Sequence, residues 1–261
     1  MNILITGEKG DLGSLFFKIL KKKHQIFLIN DIHKLRRIDL FIHLGASGPK
    51  KDFNKIINSN IIKLNYLLKK LKKIKINETV FFSSTSVYGD YKKTIIKEQD
   101  IGNNQSIYGV SKLYGENFLC NNLKSTITSI RIPAVLTNNN FNHYIGKLIK
   151  KLKNNKTIII NRNNSKFNFF VDPENLLNFV LNKRKIKKNY SVNICSNPEL
   201  TLIEILKYLK LKIKSDSKII IKKKVVMGPV LSNKMSKKIY GFKPYSAKKT
   251  LNNWIKRLNY A

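Results

Sequence analysis

The opening stretch MNILITGEKGDLGSLFFKIL narrows the choice of folds more than any other part of this chain. Residues 2–6 read as a short apolar strand, Gly7, Gly10 and Gly13 punctuate a turn, and Leu15, Phe16, Ile19 and Leu20 fall at the spacing of a helix's apolar face. Glycine is needed where the backbone turns tightly, where it approaches a pyrophosphate, and where a helix packs closely on a strand. The following helix offers free N–H groups and the positive end of its dipole to phosphates. Strand, glycine turn and helix in this order predict a dinucleotide-binding unit.

The rest of the chain continues the alternation. Strands are expected near residues 25–31, 40–44, 79–83, 126–132, 157–160 and 192–194, and helices over 52–73, 106–121, 142–153 and 202–209. In VDPENLLNFVL, Asp172 reads as an N-cap with Pro173 at the first helical position. Such alternation predicts an α/β fold with a parallel, doubly wound sheet, whose ligands gather at the carboxyl ends of the strands. Residues 1–135 are expected to form the cofactor domain and 136–261 mainly a substrate lobe, with the strand near 190–195 returning to the first sheet.

A second signal is chemical. Tyr108 precedes Lys112 by four residues in SIYGVSKLYGE, and Ser84 lies upstream in FFSSTSVYGD. Positions i and i+4 share a helix face, so an ammonium at 112 can favour the ionised form of the phenol at 108. Bringing a phenol of pKa ~10 to near 7 requires roughly 4 kcal/mol of differential stabilisation. The same Tyr-to-Lys spacing recurs at Tyr66, Tyr88, Tyr208 and Tyr245 in this lysine-rich chain. Only Tyr108 combines it with an upstream hydroxyl-rich strand.

TGEKGDLG, IDLFIHLGA, SSTSVYG and SIYGVSK, followed by SIRIP, NFFVDPENL, YSVNICS and SNKMSKKIYGFKP, resemble the landmarks of the extended short-chain dehydrogenase/reductase family in order. Its members include nucleotide-sugar epimerases, dehydratases and reductases. The resemblance implies an NAD(P)-dependent enzyme acting on a nucleotide-linked sugar, with Tyr108 as acid/base, Ser84 as hydroxyl partner and Lys112 as the ribose-anchoring cation. Cofactor contacts are implied at Gly7, Gly10, Asp11, Leu12, Gly13, Asn30, Asp31, Leu44, Ala46, Tyr108 and Lys112. Substrate contacts are implied at Ser84, Thr85, Arg131 and Lys166, and Asn60 matches the family's helix asparagine.

Departures from the family limit the chemistry. Dehydratases carry an acid just after the hydroxyl residue, where this chain has Thr85 and Ser86, so a 4-epimerase or a keto-sugar reductase is expected instead. A protein that binds cofactor without turning over a sugar nucleotide is the alternative. Only residues 32–37 separate Asp31 from the next strand, which leaves no room for the family's third strand and its helix. Asp31 would bind ribose hydroxyls and repel a 2′-phosphate, whereas Lys34, Arg36 and Arg37 would accept one. NAD is favoured over NADP on that acid. The resemblance also implies a homodimer built on helices 52–73 and 106–121, with the lysines of the first helix opposing it.

The formal net charge is +36, from 51 basic and 15 acidic residues, which raises nucleic-acid binding as a rival reading. The basic residues are overwhelmingly lysine and run along the whole chain, and no recognition module or metal-ligand spacing accompanies them. No specific nucleic-acid partner and no metal are expected. Two isolated cysteines, no apolar run of membrane-spanning length, and an N-terminus that enters the first strand directly lead to an expected cytoplasmic location.

Overall fold

The computed structural model describes residues 1–91, 93–139, 141–161, 165–222 and 228–259. In chain order its elements are β1 Asn2–Thr6, α1 Asp11–Leu20, β2 Gln25–Phe27, β3 Arg37–His43, α2 Phe53–Ile57, α3 Lys63–Leu71, β4 Lys75–Ser84, β5 Ile95–Ile96, α4 Ile107–Asn122, β6 Thr126–Ile132 and β7 Ala134–Val135. There follow α5 Tyr144–Lys153, β8 Ile158–Ile160, β9 Phe170–Val171, α6 Pro173–Asn182, β10 Tyr190–Asn193, α7 Leu202–Lys212, β11 Ile219–Ile221, β12 Val230–Leu231, α8 Lys234–Tyr240 and α9 Ala247–Asn259.

Six parallel strands form the central sheet in the order β10-β6-β4-β3-β1-β2. Alternate residues of each strand feed opposite faces, as period-2 geometry requires. Ile3, Ile5, Val80, Phe82 and Ile130 meet α1, α6 and α8 on one side, while Leu4, Phe41, Phe81 and Ile127 meet α3 and α4 on the other. Burial on both faces explains why these strands are almost continuously apolar rather than alternating.

The sheet ends at β2 among the described residues, so the third strand that the family usually carries is absent there. β2 is also shorter than the sequence suggests. Residues 29–34 turn into a 3₁₀ helix, because the Asp31 carboxylate accepts from the Leu28 backbone N–H at 3.0 Å and pulls the chain out of extension.

The single helix expected over 52–73 has a π-helical turn, Asn58–Ile62, between α2 and α3. Asn60 sits in that turn. Its side chain accepts from Ser47 N at 2.7 Å and donates to Ser47 O at 3.2 Å and Ser111 Oγ at 2.9 Å, tying the turn to α4 and to the loop after β3.

A second core joins α5, α7 and α9 to β8 around Trp254, which is fully buried and donates to Thr137 O at 2.9 Å. Asp172 caps α6 by accepting from Glu174 N at 2.8 Å and Asn175 N at 3.2 Å, and Arg257 from α9 pairs with the same carboxyl group at 2.9 Å. One buried carboxylate thus joins the two cores.

Candidate active site

The glycine turn has the geometry that a dinucleotide requires. Gly7 has φ +78°, and a Cβ there would lie 2.7 Å from Gly45 N. A Cβ on Gly13 would lie 1.9 Å from the Gly7 carbonyl oxygen, so α1 approaches β1 as closely as it does only because residue 13 lacks a side chain. Gly10 meets nothing nearer than 3.4 Å, leaving its open side for a ligand. It also caps α1 without a side-chain hydrogen bond, so the helix's first N–H groups stay available to phosphate oxygens.

This turn forms one wall of a cleft of about 750 Å³ at the carboxyl ends of the strands. Gly7, Gly10, Asp11, Leu12, Gly13, Leu44 and Ala46 line it, opposite Ser84, Thr85, Tyr108 and Lys112. The strand β4 ends at Ser84 and its hydroxyl accepts from Ser86 N at 3.1 Å, which bends the chain away and leaves Ser84 at the rim. Ser106 caps α4 by accepting from Gly109 N at 3.2 Å, so Tyr108 emerges in the first turn and Lys112 one turn deeper.

Burial raises the Tyr108 phenol above its ordinary value, and the hydrogen bond with Ser84 partly opposes this. Burial lowers Lys112 to about 8, with the Glu116 carboxylate opposing. The Lys112 ammonium donates to Phe82 O at 2.8 Å and stands 5.0 Å from the Phe81 ring centre. His43 lies beneath, stacked on Phe81 and bonded to Thr6 Oγ1 at 2.7 Å; burial first, and the Lys112 charge second, lower it to about 3. It is a neutral core histidine.

Four sequence candidates lie elsewhere. Asn30 and Asp31 fall in the 3₁₀ helix and not on the cleft wall, with Asp31 turned to Leu28 N and 4.0 Å from Lys34 Nζ. Arg131 does not reach the cleft, because it is buried behind β4 in a two-pronged pair with Glu116. Lys166 is exposed and bridges in backbone to Thr201 in the lobe.

Conversely, the cleft takes in residues the sequence did not single out, chiefly Ser47, Lys50, Lys51, Thr137, Asn142 and His143. Lys50 Nζ donates to Asn142 Oδ1 at 3.2 Å across the mouth. Nothing distinguishes these two lysines by sequence in a chain with so many.

Residues 24–195 match the NAD dependent epimerase/dehydratase family, a span that includes the cleft's Ser84, Tyr108 and Lys112. The chain belongs to that family. Among curated proteins it is similar to a uronate dehydrogenase of Pseudomonas syringae pv. tomato, 25% identical over 141 residues, which is 44% of this chain and 51% of the relative. The match thus spans about half the length of that relative.

Solved structures of the same fold include a UDP-glucuronic acid 4-epimerase of Bacillus cereus in complex with UDP-glucuronic acid and NAD, at TM-score 0.79 and 20% identity, covering 100% of this chain and 99% of that one. A UDP-glucose 4-epimerase of Thermotoga maritima, with UDP-glucose, gives TM-score 0.79 and 19% identity at the same coverage. A UDP-N-acetylglucosamine 4-epimerase of Methanobrevibacter ruminantium gives TM-score 0.81 and 18% identity, covering 99% of this chain and 98% of that one.

Proposed function

We propose that this protein is an NAD-dependent enzyme that inverts or reduces a ring carbon of a nucleotide-linked sugar. The observation that carries this reading is the convergence of Ser84, Tyr108 and Lys112 on a cleft whose opposite wall is a glycine turn fit for a pyrophosphate. Gly7, Gly10, Gly13 and the N-terminus of α1 would hold the dinucleotide, and bound NAD would supply hydride exchange and, when oxidised, a positive ring near the phenol. Similar structures contain NAD with UDP-linked sugars.

Tyr108 exchanges the proton of the sugar oxygen, and Ser84 holds that oxygen in line. In the cofactor-free protein burial keeps the phenol protonated. Its ionisation therefore depends on positive charge brought beside it, with Lys112 contributing from one turn away. Thr85 and Ser86 offer no base for abstracting a carbon-bound proton near neutral pH, which disfavours dehydration.

Phe53, Ile62, Tyr66 and Val110 are exposed apolar residues on the α2 to α3 segment and α4, and they support a homodimer through these helices. No helix among the described residues is long and apolar enough to cross a membrane. A cytoplasmic location fits a cofactor enzyme with two unpaired thiols.

Incubation with UDP-, GDP- and dTDP-sugars, followed by NADH absorbance and product mass, tests the reading. Product without net cofactor change identifies an epimerase, and cofactor consumption a reductase. Net NADH formation from a sugar acid would favour a dehydrogenase, the activity of the Pseudomonas relative. Cofactor binding with no turnover of any sugar would refute the enzymatic reading.

A further inference from the structure

Glu116 stands one helical turn beyond Lys112 and two beyond Tyr108, on the same face of α4. Both of its carboxylate oxygens are occupied. One accepts from Ser83 Oγ and from Arg131 Nε at 2.9 Å, the other from Arg131 Nη2 at 2.7 Å and Ser191 Oγ at 2.8 Å. The donors come from three adjacent strands, Ser83 on β4, Arg131 on β6 and Ser191 on β10, and Ser83 directly precedes Ser84. Arg131 Nη1 also donates to Glu98 O at 2.7 Å and lies 3.4 Å from the Tyr88 hydroxyl.

The Glu116 and Arg131 side chains are each 5% exposed. A pair so deeply buried gains little net stability, because desolvation offsets the attraction, and apolar residues of similar size would hold the core as well. What apolar residues cannot provide is a fixed register between helix and strand, or a negative charge at this depth.

We propose that Glu116 is a positioning residue of the active site, locking the helix of Tyr108 and Lys112 to the strand of Ser84 and placing a buried negative charge one turn beyond the Lys112 ammonium. This rests on the catalytic assignment of that trio. Lys112 is faced by the Phe81 ring and Phe82 carbonyl of β4, by neutral His43 of β3, and by Tyr108 and Glu116 of its own helix. On the cleft side stand Asp11, Lys50 and Lys51. Of these groups Glu116 is the one whose charge opposes the burial that lowers Lys112. Without it the amine loses its proton at lower pH.

The test is NAD affinity measured calorimetrically from neutral to alkaline pH, a readout that does not require any sugar to turn over. In Glu116→Gln, which keeps shape and removes charge, the pH at which affinity falls moves down by about one unit. Glu116→Asp retains the parent midpoint. The double variant E116Q/R131Q leaves no uncompensated buried charge and, if the single variant folds poorly, shows a shift in the same direction but smaller, because Arg131's positive charge leaves with the carboxylate. Ser191→Ala deletes one hydrogen bond and no charge, and keeps the parent midpoint. An unchanged midpoint in the neutral variants, or an equal shift in Ser191→Ala, would overturn the proposal. Loss of sugar turnover in the parent with the shift intact would sink the enzymatic reading alone.

Discussion

The Lys112 ammonium donates to the main-chain carbonyl of Phe82 at 2.8 Å, while its nitrogen stands 5.9 Å from the centre of the Tyr108 ring. The lysine therefore anchors α4 to β4 before any ligand arrives. It does not by itself overcome the burial that raises the phenol.

Phenol ionisation in this cleft should accordingly depend on cofactor. An ultraviolet difference titration of the parent against Tyr108→Phe is expected to show no ionisation of Tyr108 below about pH 10 without NAD, the ordinary tyrosine value. Saturating oxidised NAD should bring the step down. A step near neutral pH in the cofactor-free protein would contradict this.

Replacing Gly13 by Ala puts a methyl group 1.9 Å from the Gly7 carbonyl oxygen, a backbone atom held by the β1 to α1 turn. The turn must open. We expect a stability loss of at least about 2 kcal/mol in urea unfolding, together with loss of NAD binding. Wild-type binding in the variant would show that the turn does not hold the dinucleotide.

His43 links stability to acid. Its folded value is about 3 against 6.5 when exposed, so between these limits the unfolded chain binds the extra proton. This contribution is complete above pH 6.5 and is lost as pH falls toward 3. It is of order 5 kcal/mol, from 1.36 kcal/mol per unit. His43→Gln should lose less stability than the parent between neutral pH and pH 4, measured by urea denaturation, and an equal loss in both would refute the assignment.

Asp172 has a fully buried side chain that caps α6 and pairs with Arg257 of α9. Asp172→Ala removes a cap and the nearer of the two carboxylates that pair with Arg257, which keeps Glu174 at 3.6 Å and the Leu136 carbonyl at 3.2 Å, at a cost of about 2 kcal/mol. Thermal unfolding reports the loss, and a Tm unchanged from the parent would rule out the joint between the two cores.

The parallel sheet was legible from the alternation of strands and helices and the pairing of Tyr108 with Lys112 from helical periodicity, while the place of Ser84 beside them followed from the resemblance to the family. Asp31 ends β2 early for a local reason: its carboxylate reaches back three residues to Leu28 N, a choice that apolar pattern does not encode. Arg131 was placed at the substrate by its position in SIRIP, yet its partner Glu116 lies on another element, and only tertiary structure brings them together. The lysines at the cleft mouth were hidden by composition, since Lys50 differs from dozens of others only in facing Asn142. The π turn at Asn60 depends on hydrogen bonds to Ser47 and Ser111, both remote in sequence.

Turnover by Tyr108→Phe tests the central assignment most directly. With a sugar nucleotide that the parent converts, product mass is expected to show no conversion above background while NAD affinity stays within a few fold of the parent. Conversion at the parent rate would contradict the assignment of Tyr108 as the group that moves the proton.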